Sequence, residues 1–215
     1  MITITEADLY KAMRAAYAAI DEAAPSADPD IYKEDTAVFL FKPGYQDPDL
    51  IEEQSNKLQC IFEKAAYFPH NESLKVEAEN EYWTEKLVSE KYLDNAIGHI
   101  NKMPLSRSCL YNFWDNDDFN TANPKGNCIT QIYLRLRGDK LEMHSHIRAN
   151  DVHRCLFMDL AYLMYAHQYI AEATGHRKGA FIHFVDSLHI YNKSVKEFKK
   201  QLAFMQEPAG IWTKR

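Results

Sequence analysis

Two runs that alternate apolar and polar side chains, Ile129 to Leu136 and Leu141 to Arg148, are separated by Gly138-Asp139-Lys140. An apolar stretch at helical spacing follows from about Val152 to Ala173 and stops at Gly175, and a further strand-like run spans Phe181 to Tyr191. Period-two alternation around a glycine turn predicts paired strands, and a long run at period 3.6 that ends on glycine predicts a helix. Asn192 to Met205 reads as a last helix. A sheet with helices packed largely on one side, an α+β fold, satisfies this order of elements.

The long helix contains the least expected residue of the chain. Cys155, Leu156, Asp159, Tyr162, Leu163, Ala166 and Ile170 share one of its faces, so an aspartate stands in the middle of an apolar stripe. An unpaired buried charge costs several kcal/mol even after relaxation. Asp159 therefore needs a designated partner, either a ligand or an internal arginine or histidine. On the preceding strand one face shows Glu142, His144, His146 and Arg148, and the other Leu141, Met143, Ser145 and Ile147.

The first half of the chain is less regular. Thr5-Glu6-Ala7-Asp8 reads as a helix start, with Leu9, Met13, Ala16, Tyr17 and Ile20 at helical spacing up to about Ala24. Pro25 to Asp30 is turn-rich, Thr36 to Phe41 is strand-like, and Asp47-Pro48 opens a second helix. Ser89 to Lys102 is an amphipathic helix, Cys109 to Trp114 a strand, and Asp115 to Gly126 a loop by composition.

At 215 residues and 46% hydrophobic content the chain can bury one full core, and a single domain over residues 1–215 is expected. The net charge of −6 argues against a nucleic-acid partner, which would need clustered positive charge. A free mononucleotide needs only one or two arginines. Cys60, Cys109, Cys128 and Cys155 have neither metal-motif nor secreted-framework spacing, and neither a signal peptide nor a long apolar run is apparent. A cytoplasmic protein with reduced thiols and no membrane partner is the expectation.

Asn127-Cys128-Ile129, Arg148-Ala149-Asn150-Asp151, Asp159 and Ser187-Leu188-His189-Ile190-Tyr191 stand at separations of 20 residues from Cys128 to Arg148, then 11 to Asp159 and 41 to His189, both counted from Arg148. This constellation resembles the thymidylate synthase superfamily, whose fold has a mixed β-sheet. The resemblance implies that Cys128 attacks C6 of a pyrimidine nucleotide, that Arg148 binds its phosphate, and that Asp151 contacts the pterin of methylenetetrahydrofolate, the co-substrate. It also implies that His189 and Tyr191 contact the sugar, and that Glu53, or else Glu52, relays protons from the second helix. Ser106-Arg107 resembles the segment that sends a phosphate arginine across a homodimer interface, so Arg107 is expected to act in trans.

Five departures modify the expectation. Ser108 replaces a second arginine, Ala149 a serine, and Ile129 a histidine, and the R-T-G phosphate loop is absent. The fifth, Asp159 in place of asparagine, together with Ser187-Leu188-His189 before the final tyrosine, resembles the deoxycytidylate hydroxymethylase branch. Cytosine offers a 4-amino donor and a ring N3 that can be protonated in the adduct, and a carboxylate accepts from both. An amide would instead suit O4 and N3–H of uracil. The expected activity is 5-hydroxymethylation of CMP or dCMP, with Ala149 leaving room for a 2'-hydroxyl, so that CMP is accepted at least as well as dCMP. Three readings compete with it: a dUMP or dCMP methylase of the same family, a metal enzyme built on His144 and His146 with His183 and His189, and a non-catalytic nucleotide binder. The resemblance is dense from Ser106 to Tyr191 and sparse before that.

Overall fold

The computed structural model describes residues 1–45, 91–114 and 128–206. Among these, β1 (Ile2–Glu6), β2 (Ile31–Phe41), β3 (Leu110–Asn112), β4 (Ile129–Arg137), β5 (Lys140–Asp151) and β6 (Arg177–Tyr191) form one sheet in the order β1-β2-β6-β5-β4-β3. The helices are α1 (Leu9–Glu22), α2 (Tyr92–Lys102), α3 (Leu156–Ala173) and α4 (Val195–Gln206), the last entered through a 3-10 turn at Asn192–Ser194. The β1–β2 and β5–β6 pairs are parallel, and the other three are antiparallel. The fold is α+β with a mixed sheet, as the alternation and the resemblance predict.

The β4–β5 hairpin closes at Arg137 and Lys140 around Gly138, whose φ of 63° is left-handed backbone that glycine adopts at little cost. β5 and β6 run side by side from Lys140 and Arg177 to Asp151 and His189. At their start the backbones approach so closely that a Cβ on Gly179 would lie 2.5 Å from the Leu141 carbonyl oxygen. α3 rests on both strands and contributes buried Leu156, Leu160, Leu163, Met164 and Ile170. From the other end of the chain, α1 buries Leu9, Ala12, Met13, Ala16, Tyr17 and Ile20.

Several boundaries differ from the sequence reading. Ile2 to Glu6 is a strand paired in parallel with Ala37 to Phe41, and the helix begins only after Asp8, whose carboxylate accepts from the Lys11 amide at 2.9 Å. Thr5-Glu6 thus belongs to a β-branched alternating run, and the N-cap comes after it. β2 starts at Ile31 because β6 is long enough to pair with it as far as Tyr191. α3 starts at Leu156 rather than Val152. There the Asp151 carboxylate accepts from the amides of His153 and Arg154 and its carbonyl from the Cys155 amide, which holds residues 152–155 in a turn.

Two histidines are sealed inside this frame. The His167 ring donates from Nε2 to the Leu141 carbonyl at 2.6 Å and accepts at Nδ1 from the Tyr45 hydroxyl at 2.8 Å. The His183 Nδ1 pairs with the Ser145 hydroxyl at 2.7 Å. Burial pushes their pKa values down to about 4 and about 3, so both rings are neutral in the folded protein.

Candidate active site

Three strand ends and one helix start meet at the carboxyl end of the parallel pair. β5 ends in Arg148, Ala149, Asn150 and Asp151, and β6 brings Ser187 beside Ala149, Leu188 beside Asn150 and His189 beside Asp151. β4 begins next to them, with the Arg148 amide donating to the Cys128 carbonyl at 2.9 Å. The first turn of α3 adds Cys155 and Asp159, the Asp159 amide bonding to the Cys155 carbonyl at 3.0 Å. The parallel register pairs residues 38 apart, which brings Arg148 and His189, 41 apart in the chain, to the same end of the strand pair.

The half-buried Cys128 thiol is pushed up in pKa by burial, with the Arg148 guanidinium pulling it down and the Asp159 carboxylate pushing it further up. The sequence argument assigns Arg148 the lowering effect, and the guanidinium does act in that sense. Burial outweighs it, so the thiol is protonated at neutral pH. The guanidinium carbon lies 5.6 Å from the centre of the Trp114 ring, a cation–π contact that places the arginine head beside β4 while leaving it exposed.

Asp159 is buried at 4% exposure, and its Oδ2 accepts from the Asn150 side-chain amide at 2.8 Å. A carboxylate can only accept, so this bond directs Asn150 Nδ2 towards Asp159 and leaves Asn150 Oδ1 buried without a hydrogen-bond partner. Asp159 also sits in the first turn of α3, where the exposed amide dipoles favour negative charge. Asp151 is divided in its roles: Oδ1 shapes the turn before α3, while Oδ2 is buried with no hydrogen-bond partner. α1 braces that turn, since the Tyr17 hydroxyl lies 2.9 Å from His153 Nδ1 and its ring stacks on Phe198 of α4.

His189 and Tyr191 are in edge-on contact at 4.9 Å, as two residues on one strand face should be. The His189 Nδ1 lies 3.0 Å from the Ser187 carbonyl, and its buried Nε2 has no hydrogen-bond partner. Burial raises the pKa of the Tyr191 hydroxyl, and the negative charge of Asp151 adds to that. Cys128, Arg148, Ala149, Asp151, Asp159, His189 and Tyr191 are thus gathered at one end of the sheet.

Arg107 is not with them. It is exposed in the loop before β3, and Leu110 already pairs with Tyr133, five residues along β4 from Cys128, or about 16 Å. Glu53 and Glu52 lie outside the described residues. The four-imidazole cluster of the metal reading does not form. His144 and His146 lie on the outer face, the latter bonded to Asp186 at 2.9 Å, while His183 is buried on the inner face and His189 stands at the strand end. Among the described residues no group of three or more histidine, cysteine or acidic side chains is arranged to hold a metal ion.

Sequence reasoning did not single out Trp114, Asn150 or Glu34, and it took Ser187 only as part of a family signature. Asn150 is the immediate neighbour of selected residues, and that adjacency was its only signal. Trp114 and Glu34 reach the site through strand pairing.

The α+β fold thus gathers a thiol, a guanidinium and buried carboxylates at the end of a parallel strand pair. Residues 73–211 match the family model described as "Thymidylate synthase", beginning well before Ser106. The chain belongs to the thymidylate synthase family. It is 27% identical over 122 residues to a thymidylate synthase of Phytoplasma mali (strain AT), across 56% of this chain and 42% of that protein. The chain spans less than half the length of that curated relative. No described helix is long and apolar enough to cross a membrane.

Proposed function

We propose that the protein is a pyrimidine nucleotide 5-hydroxymethyltransferase, acting on CMP or dCMP with methylenetetrahydrofolate and water. The observation that carries this reading is the buried Asp159 carboxylate, held as an acceptor by the Asn150 amide. A carboxylate at the base-reading position suits the 4-amino group and protonated N3 of cytosine and opposes O4 of uracil.

In this reading the Cys128 sulfur adds to C6, and the C5–C6 double bond opens to make C5 a nucleophile. The folate supplies the carbon unit at the oxidation level of formaldehyde. C5 bonds to that carbon and loses its proton, and departure of tetrahydrofolate leaves an exocyclic methylene. Water adds its oxygen to that methylene carbon, the sulfur leaves C6, and the ring double bond returns. Arg148 holds the phosphate as a charged fork and counters the charge on sulfur. The unpartnered Asp151 Oδ2 fits the N–H groups of a pterin. His189 and Tyr191 face the sugar, Ala149 leaves space beside it, and Glu53 is the proposed proton relay.

The test is incubation with methylenetetrahydrofolate and CMP, dCMP or dUMP, following release of tritium from C5 and the mass of the product. The expected outcome is a gain of CH2O on a cytosine nucleotide. A gain of CH2 on dUMP would instead establish the methylase reading. Asp159→Asn should shift preference towards uracil nucleotides by about ten- to a hundredfold, on the order of one or two kcal/mol of hydrogen-bond matching. The Asn150 amide would hold the new side-chain oxygen and turn its NH2 group to the base. An unchanged preference would make Asp159 structural.

A homodimer is part of the same proposal. Arg107 lies too far along the sheet to reach Cys128 of its own subunit, and Met103, Leu105 and Leu110 around it are 52%, 90% and 48% exposed, an apolar surface suited to a partner copy. Mixed Arg107→Ala and Cys128→Ala subunits should regain activity in one of the two sites of each heterodimer. Failure to complement would exclude action in trans.

A further inference from the structure

Beside the proposed site, β2 contributes a carboxylate that the chemistry above does not use. Glu34 is the register partner of His189 across the β2–β6 pair. Its two oxygens accept from two hydroxyls, Ser187 at 2.5 Å and Ser26 at 2.8 Å. Those hydrogen bonds, the one from Ser187 foremost, hold the Glu34 carboxyl below its ordinary pKa, so it is ionised and accepts only. The Ser187 hydroxyl hydrogen is therefore committed to Glu34. Its oxygen, 3.2 Å from His189 Nδ1, is left as an acceptor.

This direction of bonding decides the state of the imidazole. With Ser187 donating to Glu34, the hydroxyl oxygen and the Ser187 carbonyl, 3.2 Å and 3.0 Å from Nδ1, both require a hydrogen on Nδ1. A neutral ring with Nδ1–H has a bare lone pair on Nε2, the buried atom that lacks a hydrogen-bond partner. Without the carboxylate the Ser187 hydroxyl is free to turn and donate to Nδ1. That bond favours the opposite tautomer, with a hydrogen on Nε2, in competition with the Ser187 carbonyl, which still calls for Nδ1–H.

We infer that Glu34 is a positioning residue that acts through Ser187 to lock His189 in the Nδ1–H tautomer, so that Nε2 accepts a hydrogen bond from a sugar hydroxyl of the nucleotide. The identity of the hydroxyl donor rests on the proposed function. The tautomer does not. A neutral acceptor reads a hydroxyl and rejects an analogue that lacks it, because a buried lone pair is then left unpaired.

Long-range ¹H–¹⁵N correlation of the histidine rings in the full-length protein, with His189 assigned by His189→Gln, reads the tautomer directly. Wild type should show Nδ1–H, and Glu34→Ala should shift His189 towards Nε2–H. Adding Ser187→Ala to Glu34→Ala should restore Nδ1–H, since the competing donor is gone while the backbone carbonyl remains. A merely structural role would not be rescued by a second deletion. Glu34→Leu fills the space without an acceptor and carries the same expectation if the alanine variant does not fold. With nucleotide, Glu34→Ala should raise KM about tenfold at nearly constant kcat and narrow discrimination against the 3'-deoxy analogue by a similar factor. An unchanged His189 tautomer in the Glu34 variants overturns the inference, whether or not any nucleotide is turned over. A changed tautomer in a protein that turns over no pyrimidine nucleotide upholds the role of Glu34 and removes the proposed function instead.

Discussion

With Cys128 replaced by alanine, tritium release from C5 and product formation should both fall by about 10⁴-fold or more, while nucleotide binding stays within about tenfold of wild type. The difference arises because sulfur makes and breaks a bond to C6, whereas affinity comes from Arg148, Asp159 and the sugar contacts. Tritium release is the sharper readout, since it precedes product release and cannot occur without the C6 adduct. Cys128 is half-buried at the start of β4, and its carbonyl accepts from the Arg148 amide, a bond that an alanine keeps. Equilibrium dialysis with CMP and dCMP beside the tritium assay separates the two effects. A variant that still exchanges tritium would end the covalent mechanism, and one that loses binding altogether would make the thiol a packing group.

Acid should unfold the protein by way of its sealed histidines. His167 and His183 have folded-state pKa values pushed to about 4 and about 3, below the ordinary histidine value, so the unfolded chain takes up protons that the folded chain refuses. Their contribution is complete above pH ~6.5 and is lost progressively as pH falls towards 4 and then 3. Each shift corresponds to a few kcal/mol, on the order of 3 or more, against a total stability of about 5–15 kcal/mol for a typical domain. Urea unfolding between about pH 7.5 and pH 4.5 should show stability falling by about 1.4 kcal/mol per pH unit for each ring that titrates only in the unfolded chain. His183→Gln keeps a partner for Ser145 and cannot titrate, so it should remove about one proton from the uptake on unfolding at about pH 5. The same slope in wild type and variant would assign the acid sensitivity to other groups.

Local chemistry accounts for what could be read from the chain alone. The β4 and β5 alternation, the Gly138 turn and the apolar run of α3 are patterns within a few residues of one another, and each became the expected element with its ends displaced by a few positions. The missed strand β1 follows the same logic, because Ile2-Thr3-Ile4-Thr5 is a local β-branched alternation, and it pairs with Ala37 to Phe41. The separations between Cys128, Arg148, Asp159 and His189 were legible because a hairpin, one helix and a parallel return strand convert chain distance into position with little freedom.

Tertiary structure decided the rest. The order β2-β6-β5 puts Glu34 beside His189 and Asp151 on its other side, and nothing in the local sequence encodes that order. The same holds for Trp114 under Arg148, which meets it across β3, β4 and β5. Asp159 was recognisable as a charge needing a partner, but its bond to Asn150 depends on how α3 settles over the end of β5. The thiol shows the limit most plainly. Sequence supplied Arg148 and the direction of its pull on Cys128, whereas burial exists only once the protein is packed, and it outweighs the guanidinium and keeps the proton on sulfur.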